Sequence, residues 1–207
     1  TVELKLKHTF TISRNSRSAQ KVIIVELEHE GITGLGEASP SERYGETIDS
    51  TLKFLQSVNL EKFDSAFVVE EITAYLTSFG HGNNAGKAAI DIALQDWLGK
   101  RLNVSTWKLW GFQNSRPIQT AFTIGMDSPD IVEQKIKEAA EYPVLKVKAG
   151  ADGDEEIIRL IRNITDKTLY VDANEGWAPK ERALDKIHFL QEYRSEEHTS
   201  ELQSRFG

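Results

Sequence analysis

The N-terminal residues alternate between apolar and charged side chains, which is the period of a strand with one buried face. Residues 2–7 read V-E-L-K-L-K and begin a first strand predicted over 2–12. Further strands are predicted over 22–28 and 32–37, and the polar residues 13–18 favour a loop between the first two strands. Three strands that follow one another with short connections predict an antiparallel meander.

Three segments with apolar residues at helical spacing come next. They cover residues 47–58, 69–79 and 84–100, and the third is the clearest. The meander and these helices together predict an α+β domain over about residues 1–112. The apolar stripe of the third helix is predicted to comprise Ala85, Ala88, Ala89, Ile92, Ala93 and Trp97.

Strands and helices alternate in the second half of the chain, which is typical of parallel βα units. This pattern predicts a second domain over about residues 113–193. The chain has too few βα units to close a barrel, which takes about 250 residues, or to cover a sheet. The domain is therefore either a small open sheet or part of a larger fold. The predicted strands are 117–124, 144–148 and 168–172, and the predicted helices are 129–141, 154–163 and 179–191.

The last residues read differently from the rest of the chain. Residues 194–204 are R-S-E-E-H-T-S-E-L-Q-S, which resembles the translation of a common sequencing-library adapter. We therefore expect residues 194–207 to be a non-native tail and leave them out of the fold prediction. An ordinary charged tail is the alternative. If the tail is non-native, the natural sequence continues differently after Tyr193.

The chain has 207 residues, and its 25 basic and 32 acidic side chains give a net charge of −7. An acidic balance argues against binding to nucleic acid or to an anionic membrane surface. The sequence contains no cysteine, which excludes disulfides, thiolate metal sites and a cysteine nucleophile. The chain shows neither an apolar run long enough for a bilayer span nor a signal peptide, so we expect a cytoplasmic protein.

Two lysines mark the end of the second predicted strand of the parallel domain. Lys146 and Lys148 are two residues apart and therefore face the same side of that strand. The carboxyl ends of strands carry the catalytic groups of βα barrels, and the mutual repulsion of two ammonium groups favours the neutral form that a general base needs. The alternative is an edge strand protected from aggregation by two solvated lysines.

An acidic residue ends the next predicted strand. Asp172 and Asn174 share a face there, and a carboxylate in this place can bind a hard cation such as Mg²⁺. An ordinary turn is the alternative. A lysine pair and a carboxylate at one edge suit removal of a proton next to a substrate carboxylate, with the metal holding the enediolate oxygens. A Schiff-base lysine is the rival chemistry, but it needs only one lysine.

With these residues and three further motifs, the chain resembles the enolase superfamily, in its muconate-lactonizing subgroup, and in particular the dipeptide epimerases of the L-Ala-D/L-Glu type. The resemblance covers about residues 1–193. It implies an N-terminal capping domain, a partial (β/α)8 TIM-type barrel, a Mg²⁺ cofactor and a small dipeptide substrate. The motifs that carry it are G-L-G-E-A at 34–38, K-A-A-I-D-I-A-L-Q-D at 87–96, T-A-F-T-I-G at 120–125, K-x-K at 146–148 and D-A-N at 172–174.

The resemblance also implies roles for individual residues. Lys148 would be one of two acid/base lysines, and Lys146 would contact the substrate carboxylate beside it. Asp172 would be the first of three Mg²⁺ ligands. Thr123, at the end of the first barrel strand, would touch the substrate. Arg14, in the loop between the first two strands, would pair with an acidic substrate side chain, unless it is only a solvated loop charge.

The chain departs from the family pattern because it ends after the third βα unit. The remaining metal carboxylates, the opposing lysine and the acidic pair for the substrate ammonium group belong to later strands of the family. One lysine cannot remove a proton on one face and return it on the other, so we expect the chain as given to be inactive.

Two further interpretations stay open. The first is another enzyme of the subgroup, such as a muconate cycloisomerase or an o-succinylbenzoate synthase. The second is a non-catalytic binding or structural protein, in which both lysines would extend into solvent without forming a cluster with Asp172. The sequence also leaves open whether the full-length protein is a homo-oligomer.

Overall fold

The computed structural model divides into two compact units. The first contains residues 1–5 and 19–116, and the second contains residues 6–18 and 117–207, so the tip of the first hairpin belongs to the second unit. The structure describes residues 1–13, 15–113, 118–174, 176–178 and 180–193, and the backbone of 196–197.

The three N-terminal strands form one sheet in the order predicted for the meander. They are β1 (Val2–Ile12), β2 (Asn15–His29) and β3 (Ile32–Ala38), and β2 and β3 pair antiparallel. Because β2 begins at Asn15, the loop predicted over residues 13–18 is mostly strand. The hydrogen bonds between paired strands join backbone groups, so the polar side chains of this segment do not prevent the strand pairing from continuing.

Among the described residues of the first unit, four helices and a short 3-10 turn accompany this sheet. The bounds of the first three helices agree with the predicted helical segments to within a few residues, whereas the fourth helix and the turn were not predicted. The turn covers Glu42–Tyr44, and the helices are α1 (Ile48–Ser57), α2 (Val69–Thr77), α3 (Asn84–Leu102) and α4 (Thr106–Leu109).

The helix α3 lies directly on β3. A Cβ atom on Gly34 or Gly36 would collide with the backbone of α3, so only glycine permits this approach. The approach fixes the rotation of the helix, and the predicted apolar stripe is wrong at Ala88 and Ile92, which are exposed. The buried positions of α3 are Gly86, Ala89, Ile90, Ala93, Leu94 and Trp97.

The second unit contains a parallel sheet with the strand order β4-β5-β6-β7, which confirms the predicted βα units. The first of these strands begins at Ala121, and Pro117, where it was predicted to begin, lies outside the described residues. The last strand lies in the tail that the fold prediction left out. The strands are β4 (Ala121–Ile124), β5 (Val144–Lys148), β6 (Thr168–Asp172) and β7 (Glu196–Glu197), and the helices are α5 (Pro129–Glu138), α6 (Asp154–Ile164) and α7 (Lys180–Glu192).

Helices cover one face of the parallel sheet. Leu145 and Val147 of β5 and Leu169 and Val171 of β6 point into this layer and are almost completely buried. They form one core with apolar side chains of all three helices, among them Val132, Ile136, Ile158, Ile161 and Leu190. The residues between them point to the opposite face, because side chains alternate along a strand. Among the described residues, no helix is both long and apolar enough to cross a bilayer.

Candidate functional site

Three charged side chains meet at the carboxyl edge of the parallel sheet. Lys148 ends β5, Asp172 ends β6, and the two residues are partners in the strand register. The Nζ atom of Lys148 lies 2.8 Å from Oδ2 of Asp172, and Nζ of Lys146 lies 3.0 Å from the same oxygen. The cluster that was predicted from the sequence is therefore present. The arrangement expected of a non-catalytic protein, with both lysines extended into solvent, is not observed.

The carboxylate at the centre of this cluster is largely buried, with Asp172 only 6% exposed. Burial by itself would raise the pKa of Asp172, but hydrogen bonds from Lys148 and then from Lys146 act in the other direction. The backbone N–H of Asn174 donates a further hydrogen bond to Oδ1, at 3.0 Å. The hydrogen bonds outweigh burial, and the pKa of Asp172 lies below its ordinary value.

The cluster has one positive charge in excess, because two ammonium groups share a single carboxylate oxygen. Lys148 is mostly enclosed, whereas the side chain of Lys146 is 37% exposed and can reach a ligand in solvent. A partly enclosed site with a net positive charge attracts small anions, and a carboxylate is one of them. The geometry thus suits binding of an organic acid beside Lys148.

The other two predicted substrate contacts have different outcomes. Thr123 pairs with Lys146 in the register of β4 and β5, which places it on the same face as the cluster. It also lines a cavity of about 450 Å³ with Phe10 and Tyr142, to which none of the three clustered side chains contributes. Arg14 lies outside the described residues.

The tip of the first hairpin contacts the same edge of the sheet. The hydroxyl of Ser13 donates a hydrogen bond of 3.1 Å to the backbone oxygen of Asn174, two residues after Asp172. The backbone N–H of Met126 donates to the backbone oxygen of Thr11, at 3.0 Å, just after β4 ends. These two hydrogen bonds hold the hairpin tip beside the ends of the strands.

Asp154 is part of this edge and was not predicted from the sequence. The residue is 7% exposed, and its carboxylate accepts hydrogen bonds from the loop after β5 and from the loop after β6. A carboxylate at the first position of a helix is ordinarily read as a helix-capping group. The only signal in the sequence was the position of Asp154 at the start of a helix, directly after Gly153. That position does not indicate a hydrogen-bond partner in the loop of the next βα unit.

A magnesium ion requires oxygen ligands, usually one or two carboxylates together with other oxygens. Asp172 supplies a carboxylate, and the amide Oδ1 of Asn174 is buried without a hydrogen-bond partner among the described residues. Both donors are hard oxygens of the kind that magnesium prefers. The described part of the chain contains no group of three or more His, Cys, Asp or Glu side chains that could hold a metal. The residues present therefore fit part of a magnesium site.

Comparison with known proteins identifies the relatives of this chain. Residues 1–111 match the family model "Mandelate racemase / muconate lactonizing enzyme, N-terminal domain". The L-Ala-D/L-Glu epimerase of Bacteroides thetaiotaomicron is 47% identical over 191 residues, which are 92% of this chain and 50% of that protein. The hydrophobic dipeptide epimerase of Enterococcus faecalis is 33% identical and aligns with 94% of this chain and 57% of its own length. The chain thus spans about half the length of the curated relatives that it matches.

Solved structures agree with this relationship. The dipeptide epimerase of Cytophaga hutchinsonii, complexed with Mg and the dipeptide D-Ala-L-Val, superposes with a TM-score of 0.84 at 26% identity, over 96% of this chain and 56% of that one. The dipeptide epimerase of Enterococcus faecalis, complexed with Mg and L-Leu-L-Tyr, gives a TM-score of 0.83 at 32% identity, over 94% and 57%. The capping sheet with its helices and the partial barrel are therefore those of known enzymes, and the chain belongs to the mandelate racemase and muconate lactonizing enzyme family of the enolase superfamily.

Proposed function

We propose that the full-length protein containing this chain is a Mg²⁺-dependent dipeptide epimerase of the L-Ala-D/L-Glu type. It would invert the α-carbon of the C-terminal residue of a dipeptide through an enediolate. The observation that carries the proposal is the cluster of Lys146, Lys148 and Asp172 at the carboxyl edge of the sheet. The identity to characterised epimerases supports the substrate class.

In this mechanism Lys148 is the base that takes the α-proton on one face of the substrate. Its Nζ atom lies beside Asp172 in a mostly enclosed place, which limits competing contact with water, and it would take the proton as the neutral amine. Lys146, which is more exposed, would bind the substrate carboxylate and orient the α-carbon towards Lys148. Asp172 would hold the magnesium ion, and the bound ion would supply positive charge that stabilises the enediolate oxygens.

Further residues would determine which dipeptide binds. Thr123 lies on the substrate face of β4 and would touch the dipeptide next to Lys146. Arg14 would pair with the side-chain carboxylate of a Glu-containing dipeptide through a bidentate contact. We also propose the domain limits 1–112 and 113–193, with residues 194–207 as a tail that does not take part in catalysis.

The central experiment expresses the natural reading frame at the length of its relatives and follows the conversion of L-Ala-L-Glu to L-Ala-D-Glu by polarimetry. We expect Lys148→Ala to lower turnover at least about a hundredfold, the usual contribution of a general base. The matched control is Lys137→Ala, since Lys137 is an exposed lysine whose ion pair is with Glu133 on the same helix. The 207-residue chain is expected to give no turnover.

Two results would contradict the proposal, and a third would contradict the expected inactivity of the chain as given. Turnover that survives Lys148→Ala means that another group is the base. A full-length protein that ignores dipeptides but acts on muconate or on an o-succinylbenzoate precursor belongs to the alternative enzymes of the subgroup. Turnover by the 207-residue chain would refute its expected inactivity.

A further inference from the structure

A buried carboxylate links the two loops that follow the clustered residues. Asp154 Oδ2 accepts hydrogen bonds from the backbone N–H of Gly150 at 3.0 Å and from the indole N–H of Trp177 at 2.9 Å. Its Oδ1 accepts one from the backbone N–H of Ala151 at 3.2 Å. Gly150 and Ala151 belong to the loop after Lys148, and Trp177 belongs to the loop after Asp172. We propose that Asp154 is a positioning residue that sets the distance between Lys148 and Asp172.

The two loops touch through their backbones. A Cβ atom on Gly150 would collide with the carbonyl oxygen of Ala173, and one on Gly176 would collide with the backbone of Gly150. Gly150 also has a φ of +107°, a conformation that side chains of L-residues rarely adopt. Because no side chains separate the loops, a small shift of one loop is transmitted to the other. The carboxylate of Asp154 holds them at this separation.

Lys148 depends on this support more than Lys146 does. Lys146 has register partners on both neighbouring strands, namely Thr123 and Tyr170. The register of β4 with β5 ends at Val147, so Lys148 has a strand partner on one side only, Asp172. The loop after Lys148 therefore supplies the rest of its backbone restraint.

The chemistry of Asp154 suits a fixed link. None of the described lysines or arginines forms an ion pair with this carboxylate, and its hydrogen bonds come from N–H groups of the two loops. Hydrogen bonds to a buried carboxylate are strong and directional, so they restrain the loops more tightly than an exposed ion pair would. Residues that orient catalytic and ligating groups in this way affect activity without touching the substrate.

The test compares variants of the full-length enzyme, and it rests on the proposed epimerase activity. Asp154→Ala removes both links, whereas Trp177→Phe keeps an aromatic ring and removes only the N–H donor to Asp154. We expect Asp154→Ala to lower kcat about 10-fold to 100-fold, and Trp177→Phe to lower it less. KM for the dipeptide should change little in both, because Lys146 is anchored on both sides. The double variant should lose no more activity than Asp154→Ala alone.

Arg162→Gln is the matched control for loss of stability. Arg162 lies on the same helix α6, but it donates to the backbone oxygens of Tyr193, Thr165 and Lys167 beyond the C-terminal end of that helix. This variant should lower the melting temperature and leave kcat unchanged. If Asp154→Ala and Trp177→Phe lower the melting temperature as Arg162→Gln does and leave kcat at the wild-type value, the positioning role is wrong. If the wild-type enzyme itself does not epimerise dipeptides, the proposed function fails instead.

Discussion

The two faces of the parallel sheet use the same strands for different purposes. In β5, Leu145 and Val147 lie on one face of the sheet, and Lys146 and Lys148 lie on the other. The first pair is packed beneath helices, and the second pair converges on a carboxylate. Because side chains alternate, a strand can be anchored by one face and present charged groups on the other. Within these five consecutive residues, one face therefore stabilises the fold and the other carries the charged groups of the candidate site.

A similar separation holds along the axis of α6. Asp154 at its first turn is linked to the loops at the carboxyl edge of the sheet, whereas Arg162 near its other end holds backbone oxygens before β6 and after α7. In βα barrels the carboxyl edge carries the chemistry and the opposite edge contributes to stability. Both comparisons can be tested by moving or deleting single groups.

Exchanging the residues at positions 147 and 148, so that Val147→Lys is combined with Lys148→Val, should have the largest effect. The exchange preserves composition but places an ammonium group in the apolar layer under the helices, where Val147 is 1% exposed. A lysine buried there either keeps an unpaired charge or loses its proton, and either cost is large beside the net stability of most domains, about 5–15 kcal/mol. We expect the cooperative thermal transition of the second unit, followed by circular dichroism, to disappear.

The single variant Lys148→Val serves as the control for that exchange. It removes the charge from the site face without burying one, so the transition should persist. A double variant that melts at the wild-type temperature would show that the two faces are not distinct.

Deleting one buried side chain should have the next largest effect. Leu169→Ala in β6 removes a fully buried side chain from the helical layer, and such changes cost about 2–5 kcal/mol. The adjacent Thr168→Ala, on the opposite face and exposed, should change the free energy of unfolding by less than about 0.5 kcal/mol. Urea denaturation of the two variants measures the difference. Equal losses would contradict the assignment of the faces.

Removing the hydrogen bonds that join His8 and Lys7 of the first hairpin to Glu138 of α5 should have the smallest effect on stability, and this effect depends on pH. Glu138 has a pKa lowered to about 2, first by the hydrogen bond from His8 and then by that from Lys7. A carboxylate with a lowered pKa stabilises the fold above its ordinary pKa, and this contribution is lost as the pH falls from about 4.5 towards 2.

The change Glu138→Gln tests that link. The variant should melt at a lower temperature than the wild type near pH 6, and the gap should close between pH 4.5 and 2. Melting curves recorded over this range give the gap directly. A gap of constant size down to pH 2 would mean that the carboxylate does not contribute in its charged form.

Local periodicity was sufficient for the strands that build the site. The observed bounds of β5 and β6 coincide with those predicted, and Lys148 and Asp172 meet as their positions at two strand ends imply. Alternation is a property of neighbouring residues, and the parallel order of βα units follows from their succession. The family relationship was likewise visible in short motifs.

The hydrophobic periodicity did not predict the features that depend on contacts between segments far apart in the chain. The rotation of α3 depends on two glycines of β3, and Ile92 is consequently exposed although its spacing favoured burial. The strand β2 extends into a polar segment because its hairpin partner continues, and Asp154 is recognised as a link only once Trp177 is seen to reach it.

The chain's own pattern of residues thus specified which elements form and which side chains stand at their ends. Only the tertiary structure shows where backbones approach each other closely and which hydrogen bonds join the loops, such as those of Asp154. These features depend on the meeting of residues far apart in the chain, and a single sequence contains no local signal for such distances. Contacts within a strand or helix repeat with a fixed period, whereas contacts between them do not.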